Sequence, residues 1–210
     1  MRKTLTTSVL VIVAVLAGGQ TAGAVTLDFE TLTDLQPVTS QFEGLTFTNA
    51  TALSSGAVAG SLNEFDFPPL SGVTVVSDDG GAISIVFDTL VSEVSGFFNY
   101  LTPVTITAFD ALLVPVAGVT SAFGSNLALS GEPGSSPNEL LQLTFADGIA
   151  SLTLQGDPAG FSFTLDSFSY EPVAATPVPA ALFLVSAALF TVPGWPALRC
   201  RREGPRSSVP

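Results

Sequence analysis

ELLQLTFADGIASLTLQG, residues 139–156, holds two runs in which apolar and polar residues alternate. Alternation with period two is the mark of a strand with one buried face. Between the runs stand Asp147 and Gly148. This pair suits the positive φ angles of a type I′ turn, so the stretch predicts an antiparallel β-hairpin. The fold class follows if the rest of the chain repeats this grammar.

It does. Val25-Thr26-Leu27-Asp28-Phe29-Glu30 and Gly44-Leu45-Thr46-Phe47-Thr48 alternate in the same way. Ala82 to Phe87 places Ile83, Ile85 and Phe87 on one face, and Val91–Tyr100 and Val104–Phe109 are further β-type runs. The last strand begins Phe161-Ser162-Phe163-Thr164-Leu165, with its apolar residues at odd positions, and continues with Phe168 and Tyr170 at even ones. A one-residue slip turns every side chain over, so a β-bulge is expected near Asp166-Ser167. Residues 50–70 and 118–137 are rich in turn formers and read as long connections. Eight to ten short strands at this spacing predict an all-β fold, an antiparallel β-sandwich of jelly-roll type over residues 25–172.

Charge narrows what such a domain can do. The chain of 210 residues has a formal net charge of −12. Its six cations are Arg2, Lys3, Arg199, Arg201, Arg202 and Arg206, so no Lys, Arg or His stands between Lys3 and Arg199. Of the 18 carboxylates, all but Glu203 lie from Asp28 to Glu171. This span repels phosphate backbones, which argues against nucleic acid as a partner. It also lacks the side chains most used for proton transfer near neutral pH. The single cysteine, Cys200, lies near the C-terminus, so the domain has no disulfide and no thiolate nucleophile.

The two ends read differently. Residues 1–24 contain a cationic start at Arg2 and Lys3, an apolar run from Val9 to Ala17 and a small-x-small site at Ala22-Gly23-Ala24. That is the pattern of a secretory signal peptide, and the mature chain is expected to begin at Val25. After a linker, 173–176, come Pro177-Val178-Pro179-Ala180-Ala181, an uncharged stretch over 178–198, and Arg199, Arg201 and Arg202 within the basic tail 199–206. The uncharged stretch has about the 20 residues needed to span a bilayer. The basic tail sets it with the domain outside and the tail inside.

The segment 177–210 resembles the PEP-CTERM sorting signal, in the variant where V-P-x-P-A-A replaces the Pro-Glu-Pro core. Thr176, the break at Pro193-Gly194-Trp195-Pro196 and the extension Glu203–Pro210 depart from that pattern. The resemblance implies transient inner-membrane anchoring, recognition by an exosortase after the secretion machinery, and release to the cell surface or the extracellular polysaccharide. The stretches LDFE, EGLTFTNA, VSGFFNYLTPVTITAFDA and FTLDSFSY are also diffusely similar to galactose-binding-like jelly rolls. In such domains the first and last strands lie together and often hold calcium. The resemblance thus implies a calcium site at Asp28, Glu30 and Asp166, whose hard oxygen ligands suit that ion. Alternation alone reads the same residues as exposed strand carboxylates. Asp78-Asp79-Gly80-Gly81 lacks EF-hand spacing and reads as a turn.

No catalytic residue is assigned. A Ser nucleophile has no His or Lys to activate it, and a hydrolase needs two carboxylates with opposed environments. Two tyrosines, Tyr100 and Tyr170, and no Trp lie in the domain. Alternation places Phe98 and Tyr100 on one face and Phe97 on the other. The functional expectation is a non-enzymatic surface or matrix protein associated with exopolysaccharide. A carbohydrate-binding module with a defined glycan is the alternative, and an exopolysaccharide hydrolase a lesser one. Intact-mass measurement of the secreted protein is expected to give a chain that starts at Val25 and lacks Arg199–Pro210; a product retaining that tail contradicts exosortase processing.

Overall fold

The computed structural model describes residues 23–56 and 60–174, and those described residues contain strands and no helix. Residues 1–22 of the expected signal peptide, 1–24, and the segment 175–210, with Pro177–Ala181 and Arg199–Arg202, lie outside the described residues. The strands are β1 (Val25–Leu27), β2 (Leu45–Thr48), β3 (Ala50–Ser54), β4 (Thr74–Asp78), β5 (Ile83–Tyr100), β6 (Thr105–Phe109), β7 (Pro115–Thr120), β8 (Glu139–Gln155) and β9 (Phe163–Pro172). Every pairing is antiparallel.

The architecture turns on β5 and β8, of 18 and 17 residues. They pair along two separate stretches, Ile83–Val86 with Ser151–Leu154 and Glu93–Phe98 with Glu139–Thr144, with register shifts around Val91. Both strands bend there and pass from one layer into the other. The first layer runs β2, β5, β8, β6, β7 through the 83–86 half of β5. The second layer runs β8, β5, β9, β4, β3 through the 91–100 half, with β1 also on β9. The result is the expected antiparallel β-sandwich.

The apolar phase follows the bend. Ile83, Ile85 and Phe87 are buried at odd positions of β5, whereas Val94, Phe98 and Tyr100 are buried at even ones. In β8, Leu141 and Leu143 give way to Leu152 and Leu154. Each strand therefore keeps its apolar side toward one continuous core. Ring pairs extend that core: Phe98 and Phe163 lie 6.0 Å apart, and Phe87 lies 6.5 Å from Phe168. Every residue of this core falls between Phe29 and Phe168.

Several sequence expectations are corrected. Asp147-Gly148 is not a hairpin turn; it sits inside β8, where the strand bends. Gly148 has the positive φ, 103°, that the residue pair announced, but the bend uses it rather than a chain reversal. The runs 82–87 and 91–100 are one strand. β1 ends at Leu27, so Asp28 and Glu30 lie beyond it instead of on its polar face. β3, β4 and most of β7 arise in stretches read as connections or left unread. The bulge in β9 is present: Ser95 pairs with Ser169 and Phe97 with Asp166, which leaves one extra residue on β9, and Ser167 takes φ 49°.

A Cβ at Gly148 would stand 2.9 Å from Leu90 Cβ in addition to the strain of its φ. Gly148→Val is expected to destabilise the fold by about 1–3 kcal/mol. Thermal unfolding checks this, and an unchanged midpoint would show that the bend does not need glycine.

Candidate functional site

With no cationic side chain in the domain, its buried carboxylates need other partners. Backbone amides supply them. Asp78, fully buried at the end of β4, accepts hydrogen bonds from Ser162 N (2.7 Å), Phe163 N (3.1 Å) and Ser162 Oγ (2.8 Å). Asp166, 2 % exposed at the β9 bulge, accepts from Leu70 N (2.7 Å) and Ser71 N (2.9 Å). Glu30 accepts from Val73 N (3.0 Å) and Thr74 N (2.8 Å). Gly72 lies between these two anchors with φ 56°, and a Cβ there would fall 2.2 Å from the Glu30 carboxyl carbon. Asp34 accepts from Ser54 N and Ser61 N. The Ser61 hydroxyl beside it holds its carboxyl below the usual range.

These contacts assign work to two of the residues expected to hold calcium. Glu30 and Asp166 fasten consecutive parts of one segment, Leu70–Thr74, to the sheet. Asp28 accepts only from Glu30 N, at 3.2 Å. Among the described residues no three His, Cys, Asp or Glu side chains gather as a metal-holding group, so Asp28, Glu30 and Asp166 are not brought together as one.

A second polar network closes the far end of the second layer. Asn126, fully buried, accepts from Tyr100 N at 2.7 Å and donates to Phe98 O at 2.8 Å. Asn99 accepts from Asn138 N at 2.6 Å and donates to Pro68 O at 3.0 Å. The Tyr100 hydroxyl donates to Glu139, whose other oxygen accepts from Ala122 N at 2.9 Å. Burial and the Glu139 carboxylate push the Tyr100 phenol up to about 12. Phe98 and Tyr100 are core residues at 1 % and 0 % exposure, so the FFNY run is no exposed aromatic platform.

The surface that remains open is the outer face of the first layer. Alternation buries Leu45, Phe47, Ile83, Ile85, Ile106, Ala108, Leu152 and Leu154. It turns the intervening residues outward. Register then aligns Thr48, Ser84, Thr153 and Thr107 in one row across four strands, β2, β5, β8 and β6. A neighbouring row brings together Gln155, Thr105 and Thr120, where the two threonine hydroxyls lie 3.0 Å apart. On the other side stand Thr46, Val86, Ser151 and Phe109. None of these residues is charged. Sheet geometry spaces the positions about 4.8 Å across strands and about 6.7 Å along them. The face is therefore uncharged and mostly of hydroxyls, on a domain that is otherwise acidic. Sequence reading missed it because the rows depend on which strands are neighbours.

No family model matches the chain, and no curated protein does. Several solved structures are loosely similar, among them the following. The K2 cleaved adhesin domain of Lys-gingipain is 14 % identical over 70 % of this chain and 99 % of its own, with a TM-score of 0.43. The family 11 carbohydrate-binding module from Clostridium thermocellum, in complex with a beta-1,3-1,4-mixed-linked tetrasaccharide, is 11 % identical over 75 % and 100 %, with a TM-score of 0.33. The CBM22-1 xylan-binding domain from Paenibacillus barcinonensis Xyn10C is 15 % identical over 75 % and 97 %, with a TM-score of 0.35. Overlaps this loose assign neither ligand nor function to the chain.

Asp166→Asn replaces an acceptor of two amide hydrogens with a group that is half donor. It is expected to cost about 1–3 kcal/mol of stability, equally in calcium and in EDTA. Urea unfolding in both buffers measures it; a loss confined to calcium-containing buffer would assign Asp166 to a metal.

Proposed function

We propose that the chain is an exported, non-enzymatic surface or matrix protein whose sandwich lays its neutral hydroxyl face against extracellular polysaccharide. The observation that carries the reading is the row Thr48–Ser84–Thr153–Thr107 with its uncharged neighbours. Hydroxyls both donate and accept, so they match the hydroxyls of a neutral sugar chain without requiring a counter-charge. Many weak contacts spread over several strands suit a long polymer better than a small ligand. The depression lined by Glu93, Ser95, Ser169 and Tyr170 is shallow, unlike the enclosed clefts that bury small molecules.

The route to that location comes from the two ends of the chain. Export follows from the signal-peptide pattern of residues 1–24, and sorting by an exosortase from the PEP-CTERM-like segment 177–210. The basic tail stays inside while the uncharged stretch anchors the chain, until cleavage releases the domain.

A defined glycan ligand is favoured by one different observation. Phe65 and Leu129 are 71 % and 76 % exposed. Their loops are joined by Ala128 N donating to Asp66 O at 3.0 Å and Ser130 Oγ donating to Asp66 Oδ1 at 3.2 Å. Phe65 thereby offers a ring for sugar stacking. A single tight hit on a glycan array, lost in Phe65→Ala, would select this reading.

For the hydroxyl face the variant is Thr48→Val, Thr107→Val and Thr153→Val together, which keeps shape and strand preference and removes three hydroxyls. Affinity electrophoresis of residues 25–174 in neutral polysaccharide gels should show retention weakened about tenfold or more, with the unfolding midpoint unchanged. Retention equal to that of the parent domain would sink the proposal.

A further inference from the structure

β1 is only three residues long, and Val25, its first, is 37 % exposed. It pairs with β9 in the register Val25 with Tyr170 and Leu27 with Phe168. The preceding residue, Ala24, therefore comes alongside Glu171. On the far side of β9, Glu171 lies directly opposite Glu93 of β5. Ala24, Glu171 and Glu93 line one shallow depression together with Ser95, Ser169 and Tyr170.

Two like charges directly opposite each other across an antiparallel pair are destabilising. Glu93 accepts one hydrogen bond, from Gln142 Nε2 at 2.7 Å, and no cationic side chain exists between Lys3 and Arg199 to neutralise the pair. The occupant of the depression is the chain itself, at the residue where the small-x-small pattern ends. Cleavage after Ala24 would remove that residue and leave an α-ammonium group on Val25 in its place.

We propose that the depression lined by Glu171 and Glu93 is a docking site for the new N-terminus made by signal-peptide removal. The inference rests on the reading that export removes residues 1–24. Before cleavage the site holds a neutral peptide bond beside Glu171, with Glu93 on the far side of β9. After cleavage it holds the one cation of the mature domain. Processing thus adds a charge contact to the short β1 strand, which already pairs with β9. The ammonium is a group that a neutral extension or an acetyl cap cannot replace.

The groups facing the terminus are Glu93 from β5 and Glu171 and Tyr170 from β9. Glu43 acts on Tyr170, whose phenol is pushed up by burial and by that carboxylate, away from neutrality. The α-amino group of the unfolded chain titrates at about 7.7–8.0. Two carboxylates raise its pKa in the folded state. The stabilisation is therefore complete below the unfolded value and is lost as pH rises through the folded one.

The core and all strands lie within residues 25–172, so the test uses a 25–174 domain released with Val25 as its first residue. Its unfolding midpoint is followed from pH 7 to pH 9.5 beside the same domain acetylated at Val25 and beside Glu93→Gln/Glu171→Gln. The free-amine domain should lose about 1–3 °C more than the acetylated one over that range. The double variant should erase the difference. Equal pH profiles for the free and acetylated domains would overturn the docking site. A difference that persists in the double variant would overturn its assignment to these two carboxylates. Mass spectrometry of the secreted protein tests the cleavage separately: a first residue other than Val25 overturns the link to processing, whatever the pH profiles show.

Discussion

The pairing of β5 with β8 is the constraint on which the other strands depend. Each of these strands belongs to both layers, and each bends where the other does. The bend turns one ladder into two faces that meet across a common core. β2, β6 and β7 then extend one layer, while β9, β4, β3 and β1 extend the other. The cost of bringing 83–100 and 139–155 together across long intervening loops must be met before any of these later strands has a partner. Apolar residues at the joint, Val91 and Ile149, are fully buried, so it is packed as tightly as the core on either side.

Electrostatics shape the rest. A domain that has carboxylates and no cations must find another source of positive charge density, and the peptide backbone is the one available everywhere. Asp78, Asp166, Glu30, Asp34 and Glu139 each collect amide hydrogens from a loop or strand end. Acidic residues in this protein are accordingly fasteners for irregular chain as much as solubilising groups. That role explains why long loops such as 61–73 lie close against the sheet. The outward rows of the first layer, by contrast, carry no acid.

The fold class was legible because alternation is a local property. The β9 bulge was legible for the same reason: Phe161, Phe163 and Leu165 change phase to Phe168 and Tyr170 within ten residues. The β8 bend was misread although its phase slip was also in view, from Leu141 and Leu143 to Leu152 and Leu154. Asp-Gly satisfies a positive φ in a reversal and in a bend alike, and the choice is made by β5, some fifty residues away. Asp28, Glu30 and Asp166 read as calcium ligands, whereas Glu30 and Asp166 take backbone amides at 70–74 as partners, which carry no signature in a sequence. The hydroxyl rows were invisible for a related reason. Thr48, Ser84, Thr107 and Thr153 are unremarkable one by one and become a surface only through register.

The cation-free span also bears on resistance to proteolysis. Proteases of the trypsin type select their cutting point by placing Lys or Arg against a carboxylate in the specificity pocket. From Lys3 to Arg199 the chain offers them no such residue, folded or unfolded. A domain composed in this way withstands one of the commonest classes of extracellular digestion without relying on its own stability. The few places where such enzymes can act are confined to the two end segments, which export and sorting would remove in any case.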